Sequence, residues 1–189
     1  MSTITKRLTV DQYDQMVEHG ILPETNRFEL INGRIVEKEV KKPPHSVATG
    51  LCLDALGRSL PAGWHVRKEE PVRIPSRRSE PEPDLSVARG AIRDYETRHP
   101  GPDDIALVVE VTRSSVAKDR ALARVYGGGG IPAYWIVNVP KRRLEVYEGP
   151  TGGAYPAPKI LKDTDSVDLI IAGQVVGRIP VADLLPGGS

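Results

Sequence analysis

The segment IALVVEVTRSS, residues 105–115, decides how this chain is built. From Ile105 to Val109 it is apolar without alternation. That pattern suits a central strand covered on both faces, not one with a face in water. Glu110 then interrupts the run. Taking a carboxylate out of water costs on the order of several kcal/mol unless something pairs with it. A Lys or Arg is one such partner, and a metal ion is another.

Downstream, SSVAKDRALARVYGG predicts a helix, with Ser114 or Ser115 able to cap it and the glycine run Gly127–Gly130 ending it. IPAYWIVNV is a second buried strand, and RRLEVYEG pairs with it through the turn at PKR. After a Gly/Pro-rich stretch (149–158), KILKDTDSVDLIIAGQVVGRIPVADLL reads as late strands and a closing segment. Upstream, DLSVARG begins a short strand, residues 90–104 are a loop or short helix, and WHVRKEEPVRI alternates as a strand. PSRRSEPEP is a polar loop. A helix runs from about His45 to Leu60, with Val47, Leu51, Leu53, Ala55, Leu56 and Leu60 on its apolar face. RFELINGRIVEKEV is a hairpin, because Asn32-Gly33 is the strongest short-range turn signal. LTVDQYDQMVEHG is an opening helix capped by Thr9 or Asp11 and stopped at Gly20. Strands with one crossover helix between the apolar runs describe an α/β fold: a central mixed β-sheet flanked by helices, preceded by an N-terminal helix and β-hairpin.

The 189 residues suit a single domain. The net charge of +1 supplies no global field toward nucleic acid or membrane, so a nucleic-acid partner requires a local basic patch. One cysteine, Cys52, excludes a disulfide framework and a multi-cysteine zinc site; it reads as a small core residue. The opening MSTITKRLTV has no apolar core segment, and no stretch reaches the ~20 apolar residues of a membrane span. The expectation is a cytoplasmic protein.

Asp84, after a proline in PEPDLSV, is the natural companion of Glu110. The intervening residues allow a return into an adjacent strand, where the two carboxylates would converge at one sheet end. Two hard oxygen ligands suit Mg²⁺ or Mn²⁺, which keep several waters. Such an ion lowers the pKa of bound water and stabilises phosphoryl charge. The alternative is that Asp84 opens a turn and Glu110 pairs with an arginine.

RFELINGRIV, PPH, EPDLSV, LVVEVTRSS and GIPAYWIVN together resemble the Uma2 family, also known as DUF820, over roughly residues 8–186. These are bacterial proteins of the PD-(D/E)XK nuclease-like superfamily. The resemblance implies a restriction-endonuclease-like core with its site at one sheet end and a divalent metal, Mg²⁺ or Mn²⁺, on Asp84 and Glu110. Glu29 in FELING matches a third family carboxylate, and His45 in PPH matches a family histidine. The implied partner is nucleic acid, DNA in the first instance, cut by a homodimer.

Two departures stand out. The residue two after Glu110 is Thr112, where a standard motif has Lys. The family's lysine on the next helix falls at Leu122. Lys118 is the nearest replacement, with Arg120 and Arg124 as other cations, although an arginine does not exchange protons at neutral pH. The glycine run also departs from the family pattern and predicts a floppy helix end.

From strand alternation alone Glu29 could equally face solvent, and His45 could be a plain helix-start residue. His19, His65 and His99 read as surface or loop residues. Tyr134 and Trp135 read as core or interface material. The RIPSRRSE cluster and Arg142–Arg143 read as solvated loops. Two functions follow: a metal-dependent endonuclease, or a catalytically degenerate binding or regulatory module, dimeric through AYWIV, motivated by Leu122 and the glycines.

Overall fold

The structure is a computed structural model and describes residues 6–22, 28–38, 40–113 and 116–187. Helix α1 (Val10–Glu18) starts at Thr9, not Asp11. The Thr9 hydroxyl accepts the Gln12 N–H, and the Gln12 side chain accepts the Thr9 N–H, so two orphan amides are satisfied reciprocally. The hairpin β1 (Phe28–Ile31) and β2 (Arg34–Glu37) closes through Asn32 and Gly33. Both have positive φ, 50° and 73°, as a two-residue type I′ turn requires.

Helix α2 (Pro43–Ser59) begins two residues before the expected start. Pro43 and Pro44 occupy positions where the missing N–H leaves no helix bond unmade. Its buried face is Ala48, Cys52, Ala55 and Leu56, whereas Val47 is 51% exposed. Three small side chains and Leu56 bring this helix onto the sheet.

Strand β3 (Trp64–Lys68) is shorter than the alternation suggested, because Glu69 turns into the left-handed region at φ 55°. β4 (Leu85–Arg89) and β5 (Ile105–Thr112) follow, then helix α3 (Val116–Gly129), β6 (Ala133–Asn138), β7 (Arg143–Glu148) and β8 (Lys159–Lys162). These six strands form one mixed sheet in the order β3-β4-β5-β6-β7-β8. Only β5 and β6 are parallel, joined by the α3 crossover. β9 (Ser166–Ile171) and β10 (Gln174–Pro180) make a separate hairpin. The apolar residues divide between the two faces. One cluster joins α2, the β9–β10 hairpin and the closing turn to Trp135 and Val137; the other joins α3 to Val108, Tyr134 and Ile136.

Ser114 and Ser115, the expected caps of α3, lie outside the described residues. The glycine run does not end that helix early. Helix α3 continues through Gly129, and the glycines are contact points. A Cβ on Gly127 would lie 2.8 Å from the Tyr155 ring, and one on Gly129 would lie 2.5 Å from Ile74 Cγ2. The run is thus a closely packed helix face, and only Gly130, at φ 89°, acts as the stop.

AYWIV is likewise not a subunit contact. Tyr134 and Ile136 are fully buried and Trp135 is 2% exposed, so this strand has no surface for a second copy. Cys52 is a core residue at 1% exposed, and His65 lies within β3.

Candidate active site

The β4–β5 register sets Leu85 opposite Val109, which places Asp84 beside Glu110 at one end of the sheet. The Asp84 N–H donates to Glu110 Oε2 at 3.3 Å, and the Val111 N–H donates to Asp84 Oδ2 at 2.8 Å. The Glu110 carboxylate is thus tied to the backbone of Asp84, and the Asp84 carboxylate to that of Val111, the residue after Glu110. They open into a cleft of about 440 Å³ lined also by Glu29, Glu82, Lys118 and Leu122.

Asp84 gathers donors. His45 Nε2 is 3.0 Å from Oδ2 and Lys41 Nζ is 2.9 Å from Oδ1. Burial pushes the Asp84 carboxyl up, but the hydrogen bonds and charges of His45 and Lys41 together outweigh it and hold it below the usual carboxylate range. An ionised Asp84 has no proton to give, so His45 donates.

Glu110 is different. It is partly open to the cleft, unlike the sealed run around it. Its other contact is the Tyr126 hydroxyl, which donates to Oε1 at 3.1 Å. Among the described residues no cation pairs with it. Burial, then the charges of Asp84, Asp119 and Glu29, push its carboxyl well above the ordinary value. Glu29 is 5% exposed, so it is not on a solvated outer face. It accepts the Glu82 N–H at 3.3 Å, and burial raises its carboxyl although Lys118 opposes this.

Lys118 reaches the cleft, with Nζ 3.9 Å from Glu29 Oε1. Arg120 does not. It holds buried Glu145 through two bonds of 2.8 and 2.7 Å. Arg124 is exposed and outside the cleft lining. Three arginines of the other basic clusters are also paired. Arg73 binds Asp11 and Asp14 and lies 3.5 Å from Glu80. Arg142 binds Asp163 at 2.9 Å, and Arg143 binds Glu145 at 3.2 Å.

The cleft therefore brings together Asp84, Glu110, Glu29, His45 and Lys118. Sequence reasoning missed Lys41, Tyr126 and the Lys38–Glu82 pair. Lys41 stands four residues before His45 in KKPPH, and that proximity was the available signal.

A divalent cation suits this donor set. The oxygens are hard, no cation pairs with Glu110 among the described residues, and its carboxyl is pushed up by burial and then by neighbouring anions, which such an ion would offset. No group of three or more His, Cys, Asp or Glu side chains is gathered for a metal among the described residues. Asp84 and Glu110 would thus be its protein ligands, the remaining positions being left to water or substrate oxygens.

No helix of the described residues is long and apolar enough to cross a membrane. The chain is similar in structure to "a putative nuclease belonging to DUF820" from Anabaena variabilis ATCC 29413. The TM-score is 0.72 at 16% identity, covering 94% of this chain and 97% of that one. At that identity the likeness speaks for a nuclease-like fold. No curated protein matches the chain. The model of the Uma2 family, described as "Putative restriction endonuclease", matches residues 10–181. Since that match runs from α1 to the end of β10 and takes in every carboxylate of the cleft, the chain belongs to the Uma2 family.

Proposed function

We propose that the protein is a metal-dependent endonuclease that hydrolyses phosphodiester bonds in nucleic acid, with DNA as the expected substrate. The observation that carries this reading is the pair Asp84 and Glu110, locked together at a sheet end, with Glu110 lacking a cation among the described residues. Asp84 and Glu110 would hold Mg²⁺ or Mn²⁺. When bound, such an ion supplies an activated water and stabilises phosphoryl charge.

The chain's own residues set the geometry. His45 orients Asp84 through Nε2, and the Tyr126 hydroxyl orients Glu110. Glu29 adds negative charge at the cleft wall, and Lys118 lies against it. A second reading, a non-catalytic binding module, has one supporting observation: Leu122, where the family's lysine falls, is 6% exposed and packed in the α3 core cluster.

Calorimetric titration of Mn²⁺ into the wild type and Asp84→Asn separates the two. Saturable binding that collapses in Asp84→Asn, together with Mn²⁺-dependent phosphodiester cleavage lost in Glu110→Gln, is the expected result. Cleavage that survives either substitution overturns the assignment of Asp84 and Glu110, and a wild type that never cleaves favours the module.

A further inference from the structure

Three lysines of the cleft are engaged by carboxylates, but not alike. Lys38 pairs with Glu82 at the rim. Lys118 Nζ approaches Glu29 only to 3.9 Å, beyond hydrogen-bond length. Lys41 is held from two sides, at 2.9 Å from Asp84 Oδ1 and 3.1 Å from Glu69 Oε1. An ammonium has three N–H donors. Two of those on Lys41 are used, and one remains beside the carboxylate of Asp84. One residue further on, after Lys42, the stiff pair Pro43-Pro44 starts α2, which restricts the backbone next to this lysine. Leu122 is packed in the core cluster and offers no charge.

We propose that Lys41, a residue outside the β5–α3 unit where the motif would put a lysine, is the catalytic cation of this cleft. Its free N–H binds a non-bridging oxygen of the phosphate being cleaved. Lys118 is a positioning residue that holds Glu29. The basis is preorganisation. A cation fixed before the substrate arrives needs little reorganisation to meet the charge that develops on the phosphate oxygens. Lys41 is fixed in this way by Glu69 and Asp84; Lys118 has a single, longer contact. The assignment rests on the nuclease reading above.

The test uses hydrolysis of bis(4-nitrophenyl) phosphate, a diester with no sequence to recognise, in the full chain with Mn²⁺. Lys41→Met, Lys41→Arg and Lys118→Met are compared with the wild type, with Mn²⁺ affinity measured by calorimetry on each. Expected is a kcat loss of about 10²–10³-fold in Lys41→Met, the size seen when one preorganised donor is removed. Mn²⁺ affinity should stay within about threefold, Lys41→Arg should recover part of kcat, and Lys118→Met should lose less than about tenfold. A Lys41→Met kcat within about fivefold of the wild type overturns the proposal. So does a Lys41→Met protein that no longer binds Mn²⁺ or no longer melts cooperatively, because Lys41 would then be holding Asp84 or the fold and not the phosphate. A wild type without Mn²⁺-dependent hydrolysis of this diester or of plasmid DNA sinks the nuclease reading itself, and a hydrolysing wild type matched by Lys41→Met sinks only the assignment of Lys41.

Discussion

Two glutamates show how differently one residue type is used. Glu145 on β7 is fully buried and is answered by arginines, with Arg120 in a two-bond grip and Arg143 beside it. Among the described residues, Glu110 on β5 receives only a backbone N–H and a tyrosine hydroxyl. Both donors would serve a neutral amide equally well. Glu110→Gln should therefore raise the melting temperature of the metal-free protein at neutral pH while abolishing Mn²⁺-dependent cleavage. Differential scanning calorimetry of the two proteins without metal checks the first part; an unchanged or lower melting temperature would mean that the carboxylate is not a burden on the fold. Glu110 was legible because it broke an apolar run. Glu145 was not, since RRLEVYEG alternates like any surface strand. Lys41 was hidden because its partner, Asp84, is distant in the chain and only the packing of α2 on the sheet unites them.

At the scale of elements, helix α3 reverses the usual rule for glycine. Replacing a helix-interior glycine by alanine stabilises an exposed helix by up to about 1 kcal/mol. Here Gly129→Ala would drive a methyl into Ile74, and the expected outcome is a loss of about 1–3 kcal/mol, as for other overpacked sites. Gly128→Ala meets only the Arg77 side chain, whose far end can shift, and should stay within about 1 kcal/mol of the wild type. Urea denaturation of both variants distinguishes packing from flexibility. From sequence, four glycines signal flexibility, because the atoms they approach come from elsewhere in the chain.

The β1–β2 hairpin joins the 71–80 segment through paired backbone bonds between Leu30 and Glu80. Burial, then the charge of Asp14, raises the Glu80 carboxyl to about 7 against the opposing pull of Arg73. Its folded pKa thus exceeds its unfolded one, so the stability it contributes is full below the ordinary range near 4.5 and is lost as pH rises through about 7. Glu80→Gln should match the wild type near the acid end of that window. It should exceed it by on the order of 3 kcal/mol at the alkaline end, because each pH step of one between the unfolded and folded values costs the carboxylate about 1.36 kcal/mol. Melting curves across the window would show the gap opening; a constant difference would contradict the assignment.

For the whole molecule, the near-neutral charge sets how the proposed nucleic-acid substrate would be held. The cleft is lined by five cations, Lys38, Lys41, Lys42, Arg113 and Lys118. Lys42 and Arg113 make no ion pair among the described residues. If these two carry the phosphate contacts, log affinity for duplex DNA should fall with log salt at a slope of about −2, given ~0.9 per contact. Fluorescence anisotropy with a catalytically silent Glu110→Gln protein gives that slope, and Lys42→Ala should lower its magnitude by about one. A slope of about −6 or steeper would demand a second basic surface. The layer order and the hairpin were readable because periodicity and turn chemistry are local. Of the cleft's cations Lys118 was readable as the lysine nearest the motif, but Lys38, Lys41, Lys42 and Arg113 were not, because they are chosen by which surfaces meet.

The sheet is open, not closed into a barrel, so it ends in two unpaired strands. β8 reads KILK, with Lys159 and Lys162 flanking Ile160, which is 47% exposed; β3 ends in Lys68, whose side chain is 49% exposed. Another chain adding to either side would have to bring its backbone up against these ammonium groups. The same lysines that look like ordinary solubilising surface therefore guard the molecule against polymerising with itself through backbone pairing, and their neutralisation by acetylation would weaken that guard where the fold itself is left intact.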